Sequence, residues 1–335
     1  MPKHYTIPIF IPELACPFQC VFCNQEKISG QQHIPDENEI IKTITDHLDS
    51  FKSQNRWVEL GFFGGSFTGI PIDEQKRYLQ MVQAFIDENK INAIRLSTRP
   101  DYISEEILAV LKNYRVSTIE LGAQSMDDEV LKKSFRGHTV KQTEDAAKMI
   151  LANGFKLGLQ MMIGLPGDTL EKSISTVKKI IELGATNTRI YPAVVIRGTA
   201  MHKWYEDGKY IPLSMEKAVQ WTSRILPLFE EAGVKILRVG LHPSEGLLSG
   251  HELVAGPFHQ SFKELVLTEI WKQQFGELLE KEKTGNITIQ ASPKELNYAI
   301  GYGAANKKML LQKFKSVVFV PEESLCNRAY NYLLD

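Results

Sequence analysis

The chain has 335 residues, 43% of them apolar and 24% charged, which fits one large globular domain plus a small appendage and excludes a disordered chain. Its formal net charge of −1 excludes a global attraction to nucleic acid or to an anionic membrane, so any basic surface must be local. No apolar run approaches the roughly 18–20 residues of a membrane span, and the start, MPKHYTIPIFIPEL, lacks a long hydrophobic segment followed by a cleavage site, so a cytoplasmic protein with no membrane contact is expected.

Short β-branched or aromatic runs alternate with segments of helical period. Strands are expected at 5–11 (YTIPIFI), 57–63 (WVELGFF), 93–98 (AIRLST), 116–122 (VSTIELG), 156–163 (KLGLQMMI) and 188–195 (TRIYPAVV). Helices fit near 36–52, 72–88, 104–113, 139–152, 168–184 and 215–232. Over 34–51 the residues Ile40, Ile41, Ile44, His47 and Leu48 share one helical face, and acids crowd the first turn, where the helix dipole favours them. This alternation predicts an α/β fold of parallel strands joined by right-handed crossovers. Six such units over residues 1–240 make a partial (β/α)6 TIM-like barrel with its chemistry at the carboxyl ends of the strands.

Beyond about residue 240 the rhythm changes. Residues 241–262 are rich in Gly, Pro and Ser and read as loop; with a helix near 262–281 they form an extension over 241–282. Residues 283–335 form a small C-terminal α/β unit, read as strand, helix, tight Gly turn, helix and strand over 286–321.

The four cysteines are unevenly spread. Cys16, Cys20 and Cys23 stand in ELACPFQCVFCNQ with the spacing C-x3-C-x2-C, directly after the first strand, and Cys326 lies near the end. A secreted disulfide framework would spread them more evenly. Structural zinc wants four ligands, often as two separated pairs, and no second Cys/His pair stands nearby. Three thiolates on one loop suit an iron–sulfur cubane and leave one iron open to a small molecule. Cys326 reads as a packing residue in a C-terminal helix.

The trio after strand one resembles the radical S-adenosylmethionine superfamily. FFGGSFTG (62–69) stands where that superfamily has a Gly-Gly-Glu motif, with Ser66 in place of the Glu. STRPDYI (97–103), ELGAQSMDDEVLKKSFRGHT (120–139), MMIGLPGDT (161–169) and RIYPAVVIRGTAM (189–201) look like the radical domain of the elongator catalytic subunit, over roughly residues 8–262. The resemblance implies a short branch without that family's acetyltransferase domain.

At matching positions it implies that Cys16, Cys20 and Cys23 bind a 4Fe–4S cluster. Gly64, Gly65 and Ser66 would line the methionine end of S-adenosylmethionine. Thr98 and Arg99 end the third strand, where the family contacts cofactor or substrate, and the Arg99 guanidinium suits a bidentate pair with the methionine carboxylate. Gln124 and Ser125 end the fourth strand, and Arg136 on the following helix is a second carboxylate candidate. Gln160 and Met162 share one face of the fifth strand. Gly164 to Gly167 form the bend near the adenine, and Tyr191 and Arg197 lie on or after the sixth strand. His138 reads as a brace for a helix. No residue is assigned as a catalytic acid, base or nucleophile. The implied reaction is reductive cleavage of S-adenosylmethionine to a 5′-deoxyadenosyl radical, which abstracts hydrogen from a substrate. It needs a one-electron donor such as flavodoxin or ferredoxin.

The unit at 286–321 looks like the core of a KH domain, whose G-x-x-G loop clamps nucleic-acid backbone. Here the turn is Gly301-Tyr302-Gly303-Ala304, with the second Gly one place early. Residues 283–320 hold six Lys, no Arg and a single acid, Glu295. Two readings follow: an enzyme of tRNA or other RNA modification docking through 283–320, or a radical enzyme on a small metabolite with the C-terminal unit as a lid.

Overall fold

The computed structural model describes residues 2–11, 20–24, 33–280 and 284–335. Nine-residue β1 (Lys3–Ile11) pairs in parallel with β2 (Arg56–Gly64), from Lys3 opposite Arg56 to Ile11 opposite Gly64. The sheet continues through β3 (Ala93–Thr98), β4 (Val116–Gln124), β5 (Lys156–Ile163), β6 (Asn187–Pro192) and, after β7 (Val195–Ile196), the seventh member β8 (Lys235–Val239), every neighbour parallel. β1 and β8 are the two edges and do not pair with each other, so the barrel is partial. The sequence leads to six strands. The extra one, KILRV, is a five-residue edge with mostly half-buried side chains and lacks a clear period of two.

Helices fill the crossovers, and their ends are written in the sequence. Asp36 caps α1 (Glu37–Ser50) with a reciprocal box: its carboxylate accepts from the Glu39 N–H at 2.9 Å, and the Glu39 carboxylate accepts from the Asp36 N–H at 2.8 Å. Thr139 and Gln142 make a second such box at the start of the helix Val140–Ala152. On α1 the buried stripe is Ile40, Ile44 and Leu48. Ile41, expected on that face, is exposed, because it lies about 100° round the helix from Ile40.

Strand alternation separates two faces. Val58, Leu60 and Phe62 of β2 point to the helices, where the Phe62 ring meets Tyr78 at 6.3 Å. Ile119 and Leu121 of β4 and Leu157 and Leu159 of β5 take the same side by parity and are fully or almost fully buried. Each such side chain contributes on the order of 1.5–3 kcal/mol of burial. The other face, Glu59, Gly61, Phe63, Glu120, Gly122, Gln124, Gly158, Gln160 and Met162, lines the inside of the partial barrel.

By contacts the chain forms two compact units: Met1–Leu213 with Leu228–Phe258, and Ser214–Pro227 with His259–Asp335. Within the first, the 241–262 stretch expected as loop carries a short helix (Glu245–Leu248) and a strand, β9 (Leu253–Ala255), antiparallel to β7. In the second, the expected helix near 262–281 breaks after Gln274 and resumes as Gly276–Leu279. There β10 (Asn286–Ala291), helices Leu296–Ile300 and Ala305–Leu310, and β11 (Ser316–Pro321) follow in the expected order, with β10 parallel to β11. A third strand, β12 (Tyr330–Leu334), runs antiparallel along the other edge of β10. Trp271, Phe275, Ile287, Ile289, Leu310 and Phe314 form the core of this unit, and Trp271 Nε1 donates to Glu295 at 3.0 Å. Cys326 corrects an expectation: it is exposed in the turn before β12, not packed in a helix.

Candidate active site

Low in the partial barrel four charged side chains meet. Arg95 on β3 donates from Nε to Glu59 on β2 at 2.6 Å and from Nη1 to Glu120 on β4. Arg189 on β6 donates to the same Glu120 from Nε at 2.7 Å and from Nη2 at 3.3 Å, and lies over the Phe63 ring at 5.0 Å. Burial alone would raise the Glu120 pKa, but the charges of Arg189 and Arg95 more than reverse it and hold the carboxyl below its ordinary value. Two acids and two bases make a neutral, hydrogen-bonded floor. Sequence reading missed these residues. The signal was present: a charged residue at the alternate position of otherwise apolar strands, as in VELGFF, AIRLS, TIELGA and TRIYP.

On the inner face three strand positions carry no side chain, and neighbouring side chains lie across them. Gly61, Gly122 and Gly158 stand on β2, β4 and β5 where side chains would fill the lumen. A Cβ at Gly158 would come within 2.5 Å of Asn187 Oδ1 and 2.8 Å of Glu120 Cγ, and one at Gly122 within 2.9 Å of Arg136 Nη2. Gln124 and Gln160 face each other here, Nε2 of Gln160 donating to Oε1 of Gln124 at 3.3 Å. Gln124 sits at a register shift in β4 with φ 64, a left-handed conformation rare for a side-chain-bearing residue. Met162 shares their face and packs with Cys20 and Tyr191. Gln160 and Met162, expected on one face of the fifth strand, lie there, and Gln124 from the end of β4 meets them.

The strand ends carry the remaining expected residues. Gly64 has φ 108, and a Cβ there would lie 2.4 Å from the Ile11 carbonyl oxygen, which accepts the Gly65 N–H at 2.9 Å. Its glycine is required by close packing on β1 just before the cysteine loop. Ser66 is buried. The Thr98 hydroxyl is turned to the helix side, sharing a 2.6 Å hydrogen bond with Thr68. Arg99 is fully buried, and its fork is engaged by Asp101, Nε to Oδ1 at 2.9 Å and Nη2 to Oδ2 at 2.9 Å; Nη2 also donates to the Arg136 carbonyl at 2.8 Å. Ser125 Oγ accepts from the Asp127 N–H. Arg197 is exposed and donates to the His251 carbonyl.

The bend after β5 is held by a residue that the sequence did not flag. Asp168 accepts from the Gly164 N–H and from Ser173 Oγ, each at 2.8 Å, while the Tyr210 hydroxyl donates to the Gly164 carbonyl at 2.6 Å. Burial pushes the Asp168 pKa up to about 6 despite these hydrogen bonds.

The cysteine loop is described from Cys20 to Asn24; Cys16 lies outside the described residues. The Cys23 N–H donates to the Cys20 carbonyl at 2.9 Å, closing a tight turn. The Val21 N–H donates to the Ser134 carbonyl, and the Val21 carbonyl accepts the Met201 N–H, so the turn is stitched to two neighbouring segments. Arg136 reaches this turn: Nη1 donates to Cys20 Sγ at 3.4 Å and Nη2 to the Gly122 carbonyl at 2.9 Å. It is not on a helix as expected. The helix Asp128–Lys133 ends before it, and left-handed turns at Phe135 (φ 49) and Gly137 (φ 81) swing Arg136 inward. His138 is buried with neither ring nitrogen well partnered; burial first, then Arg136 and Arg99, push its pKa down to about 3, so it is neutral. Two thiols, Cys20 buried and Cys23 half-buried, stand on this turn, Cys20 against the Arg136 guanidinium, and that soft donor set fits an iron–sulfur centre.

A family model described as the radical SAM superfamily matches residues 11–180, half of the chain, and one described as a Radical_SAM C-terminal domain matches 185–272. The chain belongs to the radical SAM superfamily, and it is a radical SAM enzyme of α/β, partial-barrel fold. Membership implies a 4Fe–4S cluster and S-adenosylmethionine. The particular relatives are elongator-like. The chain is 23% identical to the tRNA uridine(34) acetyltransferase of Dehalococcoides mccartyi over 239 residues, 62% of this chain and 52% of that protein. It is 32% identical to Elongator complex protein 3 of Saccharomyces cerevisiae over 165 residues, 48% of this chain and 29% of that one. The chain thus spans about half, or less, of the curated relatives it matches. Among solved structures, the Methanocaldococcus infernus Elp3 with an N-terminal deletion superposes with a TM-score of 0.67 at 22% identity, covering 82% of this chain and 64% of that one. Among the described residues, no helix is long and apolar enough to cross a membrane.

Proposed function

We propose that this chain modifies RNA, with tRNA as the substrate class, using Cys16, Cys20 and Cys23 as ligands of a 4Fe–4S cluster and the inner face of the partial barrel around Gln124 and Gln160 as the seat of S-adenosylmethionine. When bound and reduced by a flavodoxin- or ferredoxin-type donor, these groups supply a 5′-deoxyadenosyl radical that abstracts hydrogen from a substrate carbon. The chain's own residues bind and orient. Gly61, Gly122 and Gly158 leave room for the Phe63, Arg136 and Asn187 side chains to lie across the sheet. The Gln124 and Gln160 amides offer neutral donors and acceptors to the cofactor's ribose and base, and Met162 gives an apolar wall. The Gly164–Gly167 bend presents backbone groups, fixed by Asp168. Gly65 and Ser66 stand at the methionine end. Arg99, committed to Asp101, acts by holding the Arg136 carbonyl.

The observation that carries the RNA reading is the likeness, over the radical half, to proteins named for action on uridine 34 of tRNA. The C-terminal unit supports it. Lys294, Lys307, Lys308 and Lys315 form no ion pair among the described residues, while Glu295 is tied to Trp271. Ala304 stands at the last position of the G-x-x-G-like turn and adopts φ 60, the left-handed conformation a glycine would take there. Mass spectrometry of RNA nucleosides from cells with and without the gene tests the reading. Loss of one modified nucleoside supports it. An unchanged profile, with tRNA retention on filters insensitive to Lys307→Glu and Lys308→Glu, moves the substrate to a small metabolite and makes the C-terminal unit a lid.

A further inference from the structure

The turn between the two short helices of the C-terminal unit puts an aromatic ring in solvent and holds its backbone still. Tyr302 is 45% exposed, and its hydroxyl has no hydrogen-bond partner among the described residues. The Tyr302 N–H donates to Thr268 Oγ1 at 2.8 Å, and that hydroxyl donates in turn to the Glu264 carbonyl at 2.7 Å, one turn back on the helix Phe262–Gln274. The Ala304 N–H closes the turn on the Gly301 carbonyl at 2.8 Å, and Asn306 Nδ2 ties the far side to the Thr268 carbonyl at 3.0 Å. Gly301 adopts φ 88, and a Cβ there would lie 2.9 Å from the Asn306 nitrogen, so the turn closes tightly. The phenol therefore projects from a rigid base and needs little further ordering to bind.

The surroundings of the ring suit a flat ligand on an anionic chain. The His259 ring stands at 90° to it with centroids 5.4 Å apart, so it braces the phenol without stacking parallel to it. At Gly303, next in the chain, a Cβ would meet nothing within 4 Å, so the approach there is open. The helix Ala305–Leu310 that the turn feeds carries Lys307 and Lys308, neither of them in an ion pair among the described residues. Glu295, the single acid between 283 and 320, is occupied by Trp271. A fixed, exposed ring followed by two uncompensated cations is the combination that stacks a nucleobase and holds its phosphates. Only an unpaired base can reach such a ring, because in a duplex neighbouring bases cover both faces.

We propose that Tyr302 is a stacking platform for one unpaired base, and that the C-terminal unit takes single-stranded RNA, a loop or a free end, in preference to duplex. The inference rests on the reading that the chain acts on RNA. Lys307 and Lys308 supply attraction to phosphate that is blind to sequence and pairing. Tyr302 supplies the discrimination between unpaired and paired bases, and it accepts any base, since each has a π face.

The test is fluorescence anisotropy of the full, anaerobically reconstituted chain with a labelled single-stranded RNA of about ten nucleotides, and with the duplex that this RNA forms with its complement, each over a salt series. The single strand is expected to bind about tenfold more tightly than the duplex. Tyr302→Ala is expected to weaken single-strand binding about tenfold with an unchanged dependence on salt, and Tyr302→Phe, which keeps the ring, to bind as the parent does. Lys308→Ala is expected to act on the other quantity, lowering the slope of log affinity against log salt by about 0.7. The Tyr302 N–H that bonds Thr268 survives every one of these changes. Tyr302→Leu, which keeps apolar bulk without the ring, is the second variant and is expected to bind as weakly as Tyr302→Ala. An unmoved affinity in Tyr302→Ala, with the slope lowered in Lys308→Ala, overturns the stacking role and leaves the RNA reading standing. Equal affinity for single strand and duplex overturns it as well, as does full binding by Tyr302→Leu. A parent that binds neither RNA refutes RNA docking by this chain, and the inference with it.

Discussion

Glu120→Gln removes the carboxylate that Arg95 and Arg189 share while keeping the side-chain volume. Arg95 retains Glu59 at 2.6 Å, but Arg189 is left with neutral partners alone: one weak amide acceptor, the Tyr191 side chain and the face of Phe63. Removing one partner of a buried ion pair typically costs about 3–5 kcal/mol. Arg189 is not fully enclosed, with 18% of its side chain exposed, which places the expected loss near the low end, about 3 kcal/mol. Glu59→Gln is the internal control: its partner Arg95 still holds Glu120, so about 1–2 kcal/mol is expected. For a domain of this size the two losses correspond to roughly 6–12 °C and roughly 2–8 °C in midpoint. The assay is unfolding of the purified chain by heat and by urea at neutral pH, with an unchanged urea slope as the condition for comparison. The sign with pH is also fixed. A carboxyl held below its ordinary value contributes its stability above the unfolded carboxyl range and loses it as the pH falls through the folded value. Below about pH 4 the parent and Glu120→Gln curves should therefore converge. Equal losses for Glu59→Gln and Glu120→Gln, or a loss under about 1 kcal/mol for Glu120→Gln, would refute the shared-carboxylate account.

Other perturbations probe the inner face and its rim. Gly158→Ala drives a methyl to 2.5 Å from Asn187 Oδ1 and against the locked Glu120, so about 1–3 kcal/mol of overpacking is expected in urea unfolding. Gly154→Ala, at φ 85 with open space around it, should cost only the left-handed penalty of about 1–2 kcal/mol. Asp168 has its pKa raised to about 6, so its ionisation opposes folding, and the stability present at low pH is lost as the pH rises through that value. Asp168→Asn should remove this slope between about pH 4 and about pH 6, measured as the urea midpoint against pH. Ala304→Gly relieves the left-handed alanine and should raise the midpoint of the C-terminal unit by a few degrees, with tryptophan fluorescence of the buried Trp271 as the probe.

The helices were legible because their signals are local. A cap and its partner three residues on, as in Asp36 with Glu39 or Thr139 with Gln142, mark an end without any knowledge of the rest of the chain. The central strands were legible from apolar runs bounded by turns. The edge strands β8 and β12 were not, since a strand paired on one side alternates weakly; YNYLL is largely exposed. The cysteine spacing announced the chemistry, and the shared face of Gln160 and Met162 followed from strand parity, while Gln124 reaches them through a register shift that parity does not foresee. Arg136 was legible as a residue but not as a contact, because nothing in SFRG predicts that Phe135 turns left-handed. The ionic floor was missed for a different reason: Glu59, Arg95, Glu120 and Arg189 are far apart in sequence, and only sheet register brings them together.

These charges together set the field inside the partial barrel. The floor holds two carboxylates and two guanidiniums in direct contact, so its net charge is zero and its field falls off quickly above it. Arg99 is neutralised by Asp101 in the same way, and His138 stays uncharged. Arg136 is then the one uncompensated cation that the described residues place against the cysteine turn, and it is buried, where added salt screens little. A neutral floor and a fixed positive charge beside Cys20 give the inner face a direction: a negative group is drawn toward the cysteine turn, and a neutral one toward the glutamines. Ionic strength should accordingly leave the reduction potential of the reconstituted protein nearly unchanged between low and moderate salt. A strong salt dependence would mean that the guanidinium is solvated rather than seated against the sulfur.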